Sequence, residues 1–260
     1  MQYQQILFEV DSGVATIRLN RPQAMNSMSS NLLLELSNAF NQVKSNTSIQ
    51  VVIITGEGDR AFCAGLDLKE LSEGTDQFLE RLDSCDIIES VQNCGCPVIG
   101  AVNGCAITGG FELALACDFL IASDTAKFAD THARVGLVPS WGMSQKLPRL
   151  IGISRAKELS LTGRFISAEE ALSWGLVNHV VPASELMDKA RMLADAMLSN
   201  DARAMSSIRD TMDYGWQHDL QSGLAYEAKV FKEFTAVMAR DTVANNRQRV
   251  QEQGRSQNKQ

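Results

Sequence analysis

Histidine is scarce in this 260-residue chain, with three in all, and the six cysteines (Cys63, Cys85, Cys94, Cys96, Cys105, Cys117) show no C-x-x-C spacing. That combination argues against a zinc site and a disulfide framework; the cysteines sit mostly among apolar or small residues and read as reduced, space-filling thiols. Cys94-Gly-Cys96 is the one close pair and reads as a loop, not a redox centre. No apolar run approaches the roughly 20 residues needed to span a bilayer. The opening Met-Gln-Tyr-Gln-Gln lacks a basic n-region and an apolar h-region, so no signal peptide is expected and the expected location is cytoplasmic. Basic charge is also short: 24 Lys and Arg against 31 Asp and Glu leave a net charge of −7. Without a sequence-wide positive field, a general nucleic-acid or membrane-surface role is excluded, although a phosphorylated small ligand needs only a few local cations. The basic residues thicken only near the end (Arg240, Arg247, Arg249, Arg255, Lys259), which reads as a solvated helix face. No internal repeat of fixed period is evident.

What is present suits a large core, since 45% of residues are apolar. Ile6–Val10 and Val14–Leu19 flank Asp11-Ser12-Gly13 and predict a hairpin, which Arg21-Pro22 ends. Ser29 or Ser30 caps a helix with apolar face Leu32, Leu33, Leu36, Phe40 and Val43. Val51–Thr55 and Val98–Val102 are continuous apolar runs, as buried strands require. An amphipathic helix is expected at about 76–92, a helix over Glu112–Ala116, and a short strand near Phe119–Ile121. Alternating strands and helices to about residue 182 indicate an α/β core. Every later element reads as helical, giving a core of residues 1–182 and a helical region of residues 183–260.

Three glycine-containing segments invite a chemical reading. Gly56-Glu57-Gly58-Asp59-Arg60-Ala61 imitates a dinucleotide fingerprint, but small-residue loop follows it where a helix must open, so NAD binding is rejected. In Arg60–Leu68, small residues allow close approach to the backbone, and Gly65 permits a turn that aims the next N–H outward; alternatively this is a tight turn with Asp67 as N-cap. In Pro97–Glu112, Gly109 and Gly110 open a helix whose free N–H groups and dipole suit an oxyanion. Glu112 lies in the first turn, where spacing alone fits a helix cap as well as a catalytic carboxylate.

Taken together, these segments resemble the enoyl-CoA hydratase/isomerase (crotonase) superfamily over roughly residues 4 to 240. Asn20-Arg21-Pro22-Gln23-Ala24-Met25-Asn26 is similar to its N-R-P-x-A-x-N start, and Ala61–Asp67 to its A-F-(A/C)-A-G-x-D loop. Pro97–Glu112 resembles its P-V-I-A-A-V-N-G-x-A-x-G-G-G-x-E segment. Leu161-Thr162-Gly163 through Ala171 and Gly175-Leu176-Val177 resemble a later stretch. The resemblance implies an α/β spiral of ββα turns with a C-terminal helical trimerisation region, in a homotrimer or dimer of trimers. It implies an acyl-CoA thioester partner, with the thioester oxygen between the N–H groups of Leu66 and Gly109. Ala64, Leu66, Asp67 and Leu68 would line the CoA adenine pocket, with Ala24 beside it, and Glu112 would activate water. No metal or separate cofactor is implied, because coenzyme A is part of the substrate.

One departure stands out. Family hydratases carry a second glutamate for the proton at C2, and the matched position here is His132, with Asp130 the nearest carboxylate. His132 then replaces the glutamate, or leaves both proton steps to Glu112, or marks a weakly active acyl-CoA binder. The absence of a carboxylate at 132 disfavours the isomerase reaction, and Ser140 stands where dehalogenase-like members use Asp. Pro139-Ser140-Trp141-Gly142 replaces the usual P-G-x-G, so that Ser140 can offer its N–H to a water, and Trp141 either shapes the acyl pocket or merely packs. The reading is an enoyl-CoA hydratase, with decarboxylation, thioester hydrolysis or silent binding as alternatives.

Overall fold

Ser12 and Gly13 both take positive φ, 50° and 84°, the turn geometry that matches the twist of paired strands. They fold β1 (Ile6–Asp11) antiparallel onto β2 (Val14–Leu19), as the sequence predicts. The structure is a computed structural model that describes residues 3–74 and 86–237. Cys85, the first part of the helix expected at 76–92 and the basic residues from Arg240 onward lie outside the described residues.

The remaining strands are β3 (Val51–Gly56), β4 (Ala61–Cys63), β5 (Val98–Val102), β6 (Cys105–Ile107), β7 (Phe119–Ser123), β8 (Lys127–Ala129), β9 (Phe165–Ser167) and β10 (His179–Val181). They form two sheets, ordered β1-β2-β3-β5-β7-β10 and β4-β6-β8-β9. Among the described residues only the β1/β2 and β8/β9 pairs are antiparallel. Three times the chain lays a strand in the first sheet, a short strand in the second, and then a helix. The helices that close these turns are Leu68–Glu73, Gly109–Ala116 and His132–Val135. This is the expected ββα spiral. Its repeat is spatial, because connections of unequal length erase any fixed sequence period.

Strand alternation explains the continuous apolar runs of β3 and β5. Val52, Ile54, Val98 and Val102 face the main core with Phe40, Phe62, Phe111 and Phe128. Val51, Ile53, Ile99 and Ala101 face the other way and pack with Leu186, Ala190 and Ala194 of helix Leu186–Leu198. A sheet apolar on both faces needs cover on both, so that helix belongs with the core. The described residues accordingly divide into two compact units between Met205 and Ser206, whereas the helical character of the sequence begins at 183.

Helix Ser30–Ser45 is capped by Ser29, whose hydroxyl accepts the Leu32 N–H at 3.2 Å. Its expected apolar face is buried. Helix Ala202–Gln217 starts in the first unit and ends in the second, which also holds helix Leu220–Ala236, capped by Asp219. Within the second unit Tyr214 stacks on both His218 and Tyr226, at ring distances of 3.9 and 4.0 Å.

Candidate active site

Two motif asparagines organise the loop that follows β3. Asn26, wholly buried, donates to the carbonyls of Ala61 (2.8 Å) and Glu57 (3.0 Å) and accepts the Arg21 N–H. Asn103 donates to Gly58 and Ala61 and accepts the Gly56 N–H. The Gly56–Ala61 stretch thus runs from β3 into β4 and opens no helix. Beyond β4 the backbone is pinned again: Ala64 N–H donates to Met25, Met28 N–H to Gly65, and Asp67 N–H to Met28. Between these bonds Gly65 turns at φ +96°, a conformation for which glycine is suited.

The second loop meets the first at this point. A methyl group on Gly65 would stand 3.3 Å from the Gly109 nitrogen, and one on Gly110 would stand 2.1 Å from the Cys63 carbonyl oxygen. Gly110 therefore has to be glycine for the helix start to lie against the loop. Ahead of it, Thr108 adopts φ 53° and ψ −116°, a strained conformation for a β-branched residue. Its hydroxyl accepts the Thr131 N–H at 3.2 Å and lies 2.5 Å from the Thr131 hydroxyl. Neither the Leu66 N–H nor the Gly109 N–H has an acceptor among the described residues.

Glu112 is 2% exposed. Its carboxylate does not fold back to cap its own helix. Oε1 accepts the N–H groups of Trp141 (2.8 Å) and Met143 (3.2 Å). Gly142 between them, at φ +104°, makes the turn from which both amides reach one oxygen. Oε2 faces His132, 3.6 Å from Nε2. The other ring nitrogen, Nδ1, lies 2.7 Å from Oδ1 of Asp130, which is itself 1% exposed. Burial pushes the Glu112 carboxyl above its ordinary range, against the pull of the two amides and His132. Burial alone would raise Asp130 too, but bonds from His132 and Ser160 outweigh it and hold that carboxyl low.

Ala64, Leu66, Leu68, Gly109, Glu112, His132, Ser140 and Trp141, all singled out in the sequence, line one cavity of about 380 Å³. Ala24 and Asp67, expected beside the CoA adenine, do not line it. Ala24 ends a 3-10 turn. The Asp67 carboxylate caps helix Leu68–Glu73 and pairs with Arg21 at 2.9 Å. Leu71, Thr108, Thr131, Val135, Leu137 and Val138 complete the wall.

The family model for enoyl-CoA hydratase/isomerase matches residues 9–258. The chain belongs to that family. A relative from Arabidopsis thaliana, named "Probable enoyl-CoA hydratase 1, peroxisomal", is 44% identical over 83% of this chain and 80% of its own length. The short-chain-enoyl-CoA hydratase of Clostridium acetobutylicum is 35% identical, covering 90% of each chain. Among solved structures, the enoyl-CoA hydratase from Bacillus anthracis superposes with a TM-score of 0.88 at 38% identity, covering 96% of this chain and 97% of that one.

Within this crotonase-type fold, several site features were not legible in the sequence. Thr108 occupies the first position of the family's three-glycine run, yet its strained backbone emerges only in the folded chain. Trp141 was expected at the pocket wall, but its N–H also fixes Glu112. Asp130 was only the nearest carboxylate to position 132; its bond to Nδ1 depends on the turn that follows β8. No helix among the described residues is long and apolar enough to cross a membrane. Among the same residues no group of three His, Cys, Asp or Glu side chains is placed to hold a metal ion.

Proposed function

We propose that this chain adds water across the 2,3-double bond of a 2-enoyl-CoA thioester. The observation that carries the reading is the meeting of Glu112 Oε2 and His132 Nε2 in a cavity also lined by Leu66 and Gly109, whose N–H groups are unclaimed. The thioester oxygen accepts those two N–H groups as negative charge develops on it. Each donor is worth about 3–4 kcal/mol in the transition state. Glu112 Oε2 takes a proton from a water whose oxygen bonds to C3, and the electron pair of the double bond moves into the enolate. C2 then receives a proton from His132 or Glu112, giving the 3-hydroxyacyl-CoA. Coenzyme A is part of the substrate, and no other cofactor enters.

Fixing Oε1 with two amides while leaving Oε2 toward the cavity supports Glu112 as the base. His132, 7% exposed, supplies a second proton-handling group where the family's hydratases have a glutamate. The C-terminal helical region is assigned to assembly of a homotrimer or dimer of trimers, in keeping with exposed Ile208, Met212, Trp216, Leu220 and Phe231.

Loss of the conjugated enoyl-thioester absorbance, followed with a short and a medium 2-enoyl-CoA, tests the proposal. Wild type turns over and His132→Ala is slowed. A wild type that binds both substrates but leaves the absorbance unchanged overturns hydration in favour of another acyl-CoA reaction or simple binding.

A further inference from the structure

The proton-handling pair proposed above joins a carboxylate to an imidazole, and an imidazole works only in the right tautomer. A neutral imidazole carries one N–H, and which nitrogen holds it is decided by the neighbours. The Asp130 carboxylate, which accepts and does not donate when ionised, lies 2.7 Å from Nδ1. Nδ1 therefore carries the hydrogen, and Nε2 is left with its lone pair. That bare nitrogen is the one facing Glu112 Oε2 and the cavity.

Asp130 is itself held in place. The same Oδ1 accepts the backbone N–H of His132 at 3.2 Å, and the half-buried Ser160 hydroxyl bonds the carboxylate from helix Ile153–Thr162. The Thr131 backbone between the two residues is tied to Thr108, the residue ahead of the Gly109 N–H. The ring, its partner and the oxyanion donor are thus set by a connected group of bonds. When Nε2 accepts a proton, the resulting cation sits against a buried anion and not against apolar wall.

We propose that Asp130 is a positioning residue that holds His132 with Nε2 free to take the water-derived proton from Glu112 and hand it to C2, so that an Asp130–His132 pair replaces the family's second glutamate. This rests on the hydratase reading, but its structural half is measurable without turnover. The competing role is local: Asp130 only bonds the His132 backbone at the start of the one-turn helix His132–Val135. Asparagine preserves that backbone bond and removes the charge.

The experiment compares wild type, Asp130→Asn, His132→Ala and the double variant with one 2-enoyl-CoA, alongside proton NMR of the free protein. Asp130→Asn is expected to lower kcat at least about tenfold while KM stays within about twofold. The double variant is expected to be no slower than His132→Ala, because Asp130 acts through the ring. A strongly downfield Nδ1–H resonance is expected in wild type, moved upfield in Asp130→Asn, where a neutral oxygen replaces the carboxylate, and absent from His132→Ala. Ser160→Ala is the milder probe should Asp130→Asn fold poorly, with a smaller fall in kcat in the same direction. Additive losses in the double variant, or kcat unchanged in Asp130→Asn while His132→Ala is slow, overturn the proposal. An unaffected His132→Ala overturns it as well, while leaving hydration intact. If wild type does not hydrate, absence of the downfield resonance sinks the tautomer assignment; its presence shows that the pair exists and that the reaction assignment is what failed.

Discussion

Replacing Glu112 with Gln separates the charge of this side chain from its shape. The Gln oxygen can still accept the Trp141 and Met143 amides at 2.8 and 3.2 Å, so the turn at Gly142 is kept. What disappears is the basic oxygen facing His132 and the cavity. General acid–base catalysis is worth about 10²–10⁴ in rate, or about 3–5 kcal/mol of barrier, and kcat is expected to fall by that amount with little change in KM. Stability should move the other way. The Glu112 carboxyl titrates above its ordinary value, mainly through burial, so the folded state binds its proton more tightly than the unfolded chain does. Stability from this group is fully present below the unfolded value of about 4.3 and is lost as pH rises through the higher folded value. Gln carries no charge and escapes that loss. The melting temperature of the Gln variant should match wild type in acid, exceed it as pH rises through the folded value, and keep that advantage above it. Thermal melts across pH, with enoyl-thioester turnover in the same buffers, test both halves. A variant that keeps kcat within about threefold, or whose stability advantage shrinks with rising pH, refutes the role given to Glu112.

Other positions give independent checks. Gly110→Ala places a methyl 2.1 Å from the Cys63 carbonyl, so a loss of about 1–3 kcal/mol in denaturant unfolding is expected, with reduced kcat because the displaced segment leads into Leu66. Thr108→Ala keeps a side chain at φ 53° and loses the Thr131 bonds, whereas Thr108→Gly also relieves the backbone; the Gly variant should be the more stable of the two by about 1–3 kcal/mol in urea melts. Asp67→Ala removes the cap of helix Leu68–Glu73 and should cost about 1 kcal/mol at neutral pH. Burial raises the Asp67 carboxyl, but the Arg21 and amide bonds outweigh that and hold it low. Its contribution is therefore present above the unfolded value and lost as pH falls through the folded one, so urea midpoints of variant and wild type should converge in acid.

Local rules were enough for the elements whose stability is local. The hairpin at Ser12-Gly13, the Ser29 cap and the buried runs of β3 and β5 follow from turn chemistry, capping and apolar patterning. The motif resemblance also singled out Leu66, Gly109, Glu112 and His132, and these four line one cavity. Only tertiary structure could decide what those residues touch. The Glu112 carboxylate chose between its own helix end and two amides some 30 residues away, a choice made by long-range packing. Asp67 carries motif identity in the sequence, and the fold also makes it a helix cap and an ion-pair partner of Arg21. For helix Leu186–Leu198 the sequence leaves open packing on the core or on a neighbouring subunit, because it records that a segment is helical, not which sheet face lacks cover; here it covers the second face of the sheet. Asp130 is the sharpest case. A carboxylate two residues before a histidine has no fixed meaning in sequence; the turn after β8 gives it one by bringing Oδ1 to Nδ1.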